Sequence, residues 1–151
     1  MDRELRREII IDNYENPTNK MKISDEQIEK DNFIKINTNS ESCIDNVDLY
    51  VKFVDNIITD LYFDGEACAI STSATSIMIK MFLGKTIDDA IIVINNYYNM
   101  IEEKNYDENI LEELNAYIDI SKQPNRKKCA TLPFNALLKA IEIYKKNTQN
   151  H

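Results

Sequence analysis

The sequence predicts an α+β fold in which a small three-stranded antiparallel sheet packs against helices. Three observations carry that expectation. Strand-like patterning is confined to residues 33–63, where apolar and polar residues alternate or β-branched and aromatic residues cluster. Asp55-Asn56, a two-residue connection of the kind tight hairpins use, separates the last two of these segments. Beyond Cys68 the apolar spacing changes to the 3.6-residue period of a helix.

Taken in order, residues 2–14 predict an amphipathic helix with Leu5, Ile9 and Ile10 on one face and charges opposite. Such a helix serves either as a packing element or for partner docking. Asn16-Pro17 ends it, because the residue before proline avoids helical backbone. The polar stretch from Thr18 to Lys30 reads as an irregular surface loop, with a short helical turn at Ser24-Asp25-Glu26. Strands follow over Phe33–Asn37, Val47–Val54 and Ile57–Phe63, a meander with one face covered by the later helices. Ala74, Ile77, Met78, Met81 and Phe82 form a helical stripe that Gly84 closes. Thr86 is an N-cap, followed by Asp88 and Asp89 where the helix dipole favours anions, and Ile87, Ala90, Ile91, Ile94 and Tyr98 supply a buried face. Tyr106 to Ser121 reads as helical, and a last helix runs from near Cys129 to Lys146. Pro133 is tolerable in that helix only within its first turn, which places Cys129 close to a helix N-terminus.

At 151 residues and 43% hydrophobic content the chain suits one domain, 1–151, around one core. A net charge of −8 argues against non-specific nucleic-acid binding, which needs lysine and arginine against phosphates. No apolar run approaches the roughly 20 residues that span a bilayer, so no membrane partner is expected. The first eight residues are too charged for a signal peptide, and three cysteines without an export signal favour reduced thiols in the cytoplasm.

The chemistry concentrates at Cys43, Asp45, Cys68 and Cys129. Three thiolates and a carboxylate make the four ligands a tetrahedral zinc ion takes. Cys43 and Asp45 are two apart, so in extended backbone their side chains point to one side. Cys68 stands at the mouth of a helix, a position that favours thiolate, the form that binds metal or attacks sulfur. The only histidine, His151, is the last residue and is expected to fray. Four such ligands on Zn²⁺ sum to about −2, and Arg126 and Lys128 are the local source of relief. The spacing alone leaves a second reading open: free cysteines are often small buried apolar residues. A basic turn at Arg126 and Lys128 is equally compatible with plain solvation.

The ordered contexts resolve that choice through resemblance. Tyr14-Glu15-Asn16-Pro17-Thr18-Asn19, Cys43-x-Asp45, Phe63-x-Gly65-x-x-Cys68-x-Ile70-Ser71 with Ala74-x-Ser76-x-Met78, Gly84-Lys85, and Arg126-x-Lys128-Cys129-Ala130-x-Leu132 occur in sequence. This series resembles the SufU-type zinc-dependent sulfurtransferases of the IscU/NifU-like iron–sulfur assembly superfamily. The resemblance implies a SufE/IscU-like fold and a zinc site of Cys43, Asp45, Cys68 and Cys129. It also implies a PLP-dependent cysteine desulfurase (SufS-type) as sulfur donor and downstream iron–sulfur assembly proteins as partners. In that family the donor offers a histidine to the zinc, which frees the first cysteine, here Cys43, to accept sulfur. The alternatives are a scaffold carrying a transient iron–sulfur cluster on the same ligands, and an adaptor that activates the desulfurase without carrying sulfur.

Two details favour transfer. Lys128 stands where scaffolds of the IscU branch resemble one another in carrying histidine, and Glu103 to Gln123 is long enough for the SufU-type insertion. Two departures bear on geometry: Ile44 and Ala67 replace family glycines, which matters if those glycines adopt positive φ. Phe134 stands near a usual tryptophan, a mild aromatic exchange.

Overall fold

The sheet follows from alternation along β1 (Ile34–Asn39), β2 (Asn46–Val54) and β3 (Ile57–Glu66) in a computed structural model that describes residues 1–39 and 45–149. The strands pair antiparallel in the order β1-β2-β3, with Ile36 opposite Leu49 and Leu49 opposite Phe63. The β2–β3 hairpin turns at Asp55 and Asn56, whose φ values of 51° and 64° are the doubly left-handed geometry that matches strand twist. Val47, Leu49, Val51 and Phe53 of β2 belong to the main core, with Ile58, Leu61 and Phe63 of β3.

Helices supply the other side of that core. They are α1 (Arg3–Glu15), α2 (Asp25–Asp31), α3 (Ala69–Phe82), α4 (Ile87–Ile101), α5 (Glu108–Leu111) and α6 (Pro124–Gln149), with a 3₁₀ segment at Glu112–Lys122. The α+β class is as the patterning predicts. Thr86 caps α4 by accepting from Asp89 N, and Gly84, at φ 86°, stands two residues beyond the end of α3 with the left-handed backbone that glycine adopts freely.

Several expectations need correction. The stretch from Thr18 to Lys30 is not all loop: Ser24 caps the two-turn α2, and Asn32 at φ 59° stops it. The second face of the sheet is covered too, because Tyr50, which alternates with Leu49 and Val51, packs with Ile23, Phe33 and Ile28. Residues 106–121 divide into α5 and the 3₁₀ segment, broken where Glu112 takes φ 47°. This stretch is part of the core through Leu111, Leu114, Tyr117 and Ile120. The last helix begins at Pro124, not near Cys129, since proline suits a first helical position. Cys129 therefore lies in the second turn, and Pro133 is inside the helix.

The Asn16-Pro17 region closes the fold. Ser76 Oγ donates to Asn13 Oδ1 at 2.9 Å and accepts from Thr18 N at 2.9 Å, which ties the end of α1 to α3. Asn19 Nδ2 donates to Leu61 O at 3.1 Å, and Phe63 N donates to Asn19 O at 3.1 Å. Among the described residues, no helix is long and apolar enough to cross a membrane.

Candidate metal centre

Chain topology brings three of the four singled-out residues together. Asp45 immediately precedes β2, and the register pairs Asn46 with Glu66, so the end of β3 delivers Cys68 beside Asp45. Gly65 makes that approach possible: at φ 123°, a Cβ on it would stand 2.2 Å from Asn46 O. Cys129 arrives from α6, which packs along α3 and β1. Asp45, Cys68 and Cys129 each present a ligand atom, and these atoms lie within 4.8 Å of one another. Cys43 and Ile44 lie outside the described residues, as does His151.

The local chemistry is specific. Asp45 is 1% exposed, yet both its oxygens are engaged: Oδ1 accepts from Cys68 N at 2.7 Å, and Oδ2 accepts from Ser71 Oγ at 2.7 Å. Cys68 is the N-cap of α3, and its Sγ accepts from Ser71 N at 3.4 Å and lies 3.9 Å from Asp45 Oδ2. Cys129 is 3% exposed, and Ser71 Oγ stands 3.0 Å from its carbonyl oxygen. Pro133 explains that last contact. It has no N–H for the carbonyl four residues back, which is that of Cys129, so the helix's own ladder leaves an acceptor there. At the next carbonyl, Tyr97 Oη donates to Ala130 O at 2.9 Å.

Burial, then the neighbouring Tyr117 and Tyr98, push the Tyr97 phenol well above its ordinary range. Burial also raises Tyr117, against the lowering effect of its hydrogen bond with Ser73. Both phenols therefore remain neutral hydroxyls behind the site at ordinary pH.

A cavity of about 400 Å³ opens onto the cluster, lined by Asp45, Glu66, Ala67, Cys68, Asn125, Arg126 and Cys129. Asn125 and Arg126 share the face of Cys129 at helical spacing. Lys128, one residue away around the helix, is exposed and does not line the cavity, whereas Arg126 does. Ala67 is not among the positive-φ residues, so replacing a family glycine there carries no left-handed strain. Cys68 is a free thiol.

A sequence model described as the NifU-like N terminal domain matches residues 5–151. The chain belongs to the NifU-like N-terminal domain family. It is 36% identical over 138 residues to the zinc-dependent sulfurtransferase SufU of Bacillus subtilis, covering 91% of this chain and 89% of that protein. It is 33% identical over 108 residues to the iron–sulfur cluster assembly scaffold protein IscU of Streptococcus pyogenes, covering 71% of this chain and 68% of that one. Among solved structures it resembles a putative iron–sulfur cluster assembly scaffold protein for the SUF system from Fervidobacterium islandicum. The TM-score is 0.76 at 34% identity, over 86% of this chain and 91% of that one.

The donor set fits a zinc ion. Zn–S bonds of about 2.3 Å put ligands on one ion roughly 4 Å apart, and the three ligand atoms already lie within 4.8 Å of one another. Each Asp45 oxygen keeps a second lone pair beyond its hydrogen bond.

In this NifU-like domain Ser71 is the residue that sequence reasoning left without a role. It is fully buried and touches Asp45, Cys68 and Cys129. Its one proton serves the Asp45 carboxylate, the Cys129 carbonyl or both in a bifurcated bond. Ser71→Ala is expected to cost about 1–3 kcal/mol, because buried acceptors lose their donor, as read by urea unfolding of the metal-free protein. It should also alter the visible absorption of cobalt-substituted protein by letting Asp45 turn. A variant matching the parent in both measurements would remove Ser71 from the site.

Proposed function

We propose that this chain is a zinc-dependent sulfurtransferase that accepts persulfide sulfur from a PLP-dependent cysteine desulfurase of the SufS type and delivers it for iron–sulfur cluster biogenesis. The observation that carries this reading is the convergence of Asp45, Cys68 and Cys129 beneath an open cavity. It occurs in a chain that resembles a zinc-dependent sulfurtransferase along nine-tenths of its length.

Cys43, Asp45, Cys68 and Cys129 would hold the zinc. Cys43 enters this set through the family resemblance, two residues before Asp45 in the sequence. Bound there, zinc would neutralise part of the thiolate charge and shield the sulfurs from oxidation. Cys68 and Cys129 are the retaining ligands, set on α3 and α6 and braced through Ser71. Cys43, on the connection before β2, is the acceptor. Its thiolate attacks the terminal sulfur of the donor's cysteine persulfide. The new S–S bond forms on Cys43 as the old one breaks, and the donor cysteine leaves as thiolate. Arg126, in the cavity wall, offers a guanidinium to an incoming anionic persulfide, with Lys128 adding to the field from outside the wall. The reading places one domain, residues 1–151, among downstream iron–sulfur assembly proteins in the reducing cytoplasm.

The second reading, a scaffold for a transient iron–sulfur cluster on the same ligands, follows the resemblance to the IscU protein. Metal analysis after gentle anaerobic purification separates the two. About one zinc per chain with no acid-labile sulfide is the expected result. Iron with matching sulfide would replace sulfur transfer by scaffolding.

A further inference from the structure

The chain has four arginines, Arg3, Arg6, Arg7 and Arg126, and all four line one groove of about 490 Å³, which no lysine lines. The chain as a whole carries a net charge of −8, so this is a local reversal of sign. Ile10, Ile70 and Ile120 are among the apolar residues of its wall. Arg126 also lines the cavity over the cysteines, so the two depressions adjoin at that side chain.

Helix pairing accounts for the arginines only in part: Asp2 and Arg6 are four apart and Glu4 and Arg7 three apart, but Arg3 has no acidic residue at either spacing. On α1, Arg3 and Arg7 are four apart, and so are Glu4 and Glu8, then Glu8 and Asp12. Like charges at that spacing repel, whereas alternating signs would have stabilised the helix. Arginines in the first turns also oppose the helix dipole. Arg6 is paired with Asp119 at 3.1 Å. Among the described residues, Arg3, Arg7 and Arg126 have no carboxylate within 4.0 Å. Three guanidinium groups beside an apolar wall match an occupant that brings carboxylates and apolar side chains together. The use of arginine rather than lysine points to planar, bidentate carboxylate recognition.

We propose that this groove docks a carboxylate-rich, amphipathic segment of the protein that hands sulfur to the cysteine site. This rests on the sulfur-transfer reading, since Arg126, shared with the cavity over the cysteines, is what assigns the groove to that donor.

The test uses the full zinc-loaded chain and the cysteine desulfurase of the same organism, with affinity measured calorimetrically at two salt concentrations. Arg3→Glu/Arg7→Glu should retain parental zinc content and remain folded, because neither residue belongs to the metal cluster and an acid at the first helical position suits the dipole. Its affinity for the desulfurase should fall roughly tenfold or more, with a flatter salt dependence. Arg3→Lys/Arg7→Lys should lie between the two, since it keeps the charge and loses the planar fork. Parental affinity in the Glu variant would overturn the groove assignment while leaving sulfur transfer intact. No binding or sulfur transfer by the parent would overturn both. A short RNA duplex or phosphatidylglycerol vesicles bound more tightly than the desulfurase, and released by the Glu variant, would overturn the docking proposal in favour of a phosphate-bearing ligand.

Discussion

Cys68→Ser is expected to leave a folded protein that no longer holds zinc tightly. The substitution is selective because serine is itself a good N-cap, so an oxygen replaces the sulfur that accepts from Ser71 N while the thiolate is lost. Metal bound only by the folded form adds to folding free energy, by about 4 kcal/mol when free metal stands at a thousand times its dissociation constant. For a chain of this size each kcal/mol shifts the melting temperature by about 2–4 °C. The zinc-loaded parent should therefore melt about 8–16 °C above the variant in the same buffer. After chelation the two should melt together. Zinc analysis and calorimetry with and without chelator give the full comparison. A variant with one tightly held zinc and an unchanged melting temperature would remove Cys68 from the ligand set.

The sheet was legible because period-two patterning and a two-residue turn constrain register locally. Asp55-Asn56 could be recognised from residue type alone, and so could Thr86 as a cap. The beginning of α3 was legible too, with Cys68 at its mouth, although Ser71, Thr72 and Ser73 break the apolar stripe and all three are buried. Their hydroxyls find partners that only the fold provides: Ser73 meets Tyr117 at 2.6 Å, 44 residues away. The start of α6 was hidden, since residues 124–128 carry no apolar face to register a helical period. Expecting Pro133 only in a first turn treated a lost backbone donor as a helix boundary. In the structure, that loss is met across the interface by Ser71, and Tyr97 meets the next carbonyl. Cys68 and Cys129 stood out because the chain has only three cysteines, whereas Asp45, one of 26 acidic residues, stood out only through its place two residues after Cys43. Ser71 could not be read, since its role exists only through contacts 26 and 58 residues distant.

Cys43→Ser should abolish sulfur acceptance in a protein that still folds and still binds the desulfurase. The argument concerns division of labour among the thiols. Cys68 is held as the cap of α3 by Ser71 N, and Cys129 sits in the second turn of a 26-residue helix at 3% exposure. Moving either sulfur to meet a donor would disturb a helix, whereas Cys43 belongs to the connection between β1 and β2. A serine hydroxyl lacks the nucleophilicity of a thiolate at neutral pH and cannot carry a persulfide, so the loss should reach background. Zinc affinity should fall as well, because the proposed set loses one ligand of four. The readout must therefore separate binding from transfer. Zinc-loaded parent and variant are incubated with desulfurase and cysteine, persulfides are trapped by alkylation, and the added sulfur is located by peptide mass spectrometry. The expected label lies on the peptide containing Cys43 in the parent and on no cysteine in the variant, with desulfurase binding retained in both. Label on Cys68 or Cys129 with Cys43 unmodified would exchange the roles, making Cys43 a retaining ligand and placing the acceptor on a helix.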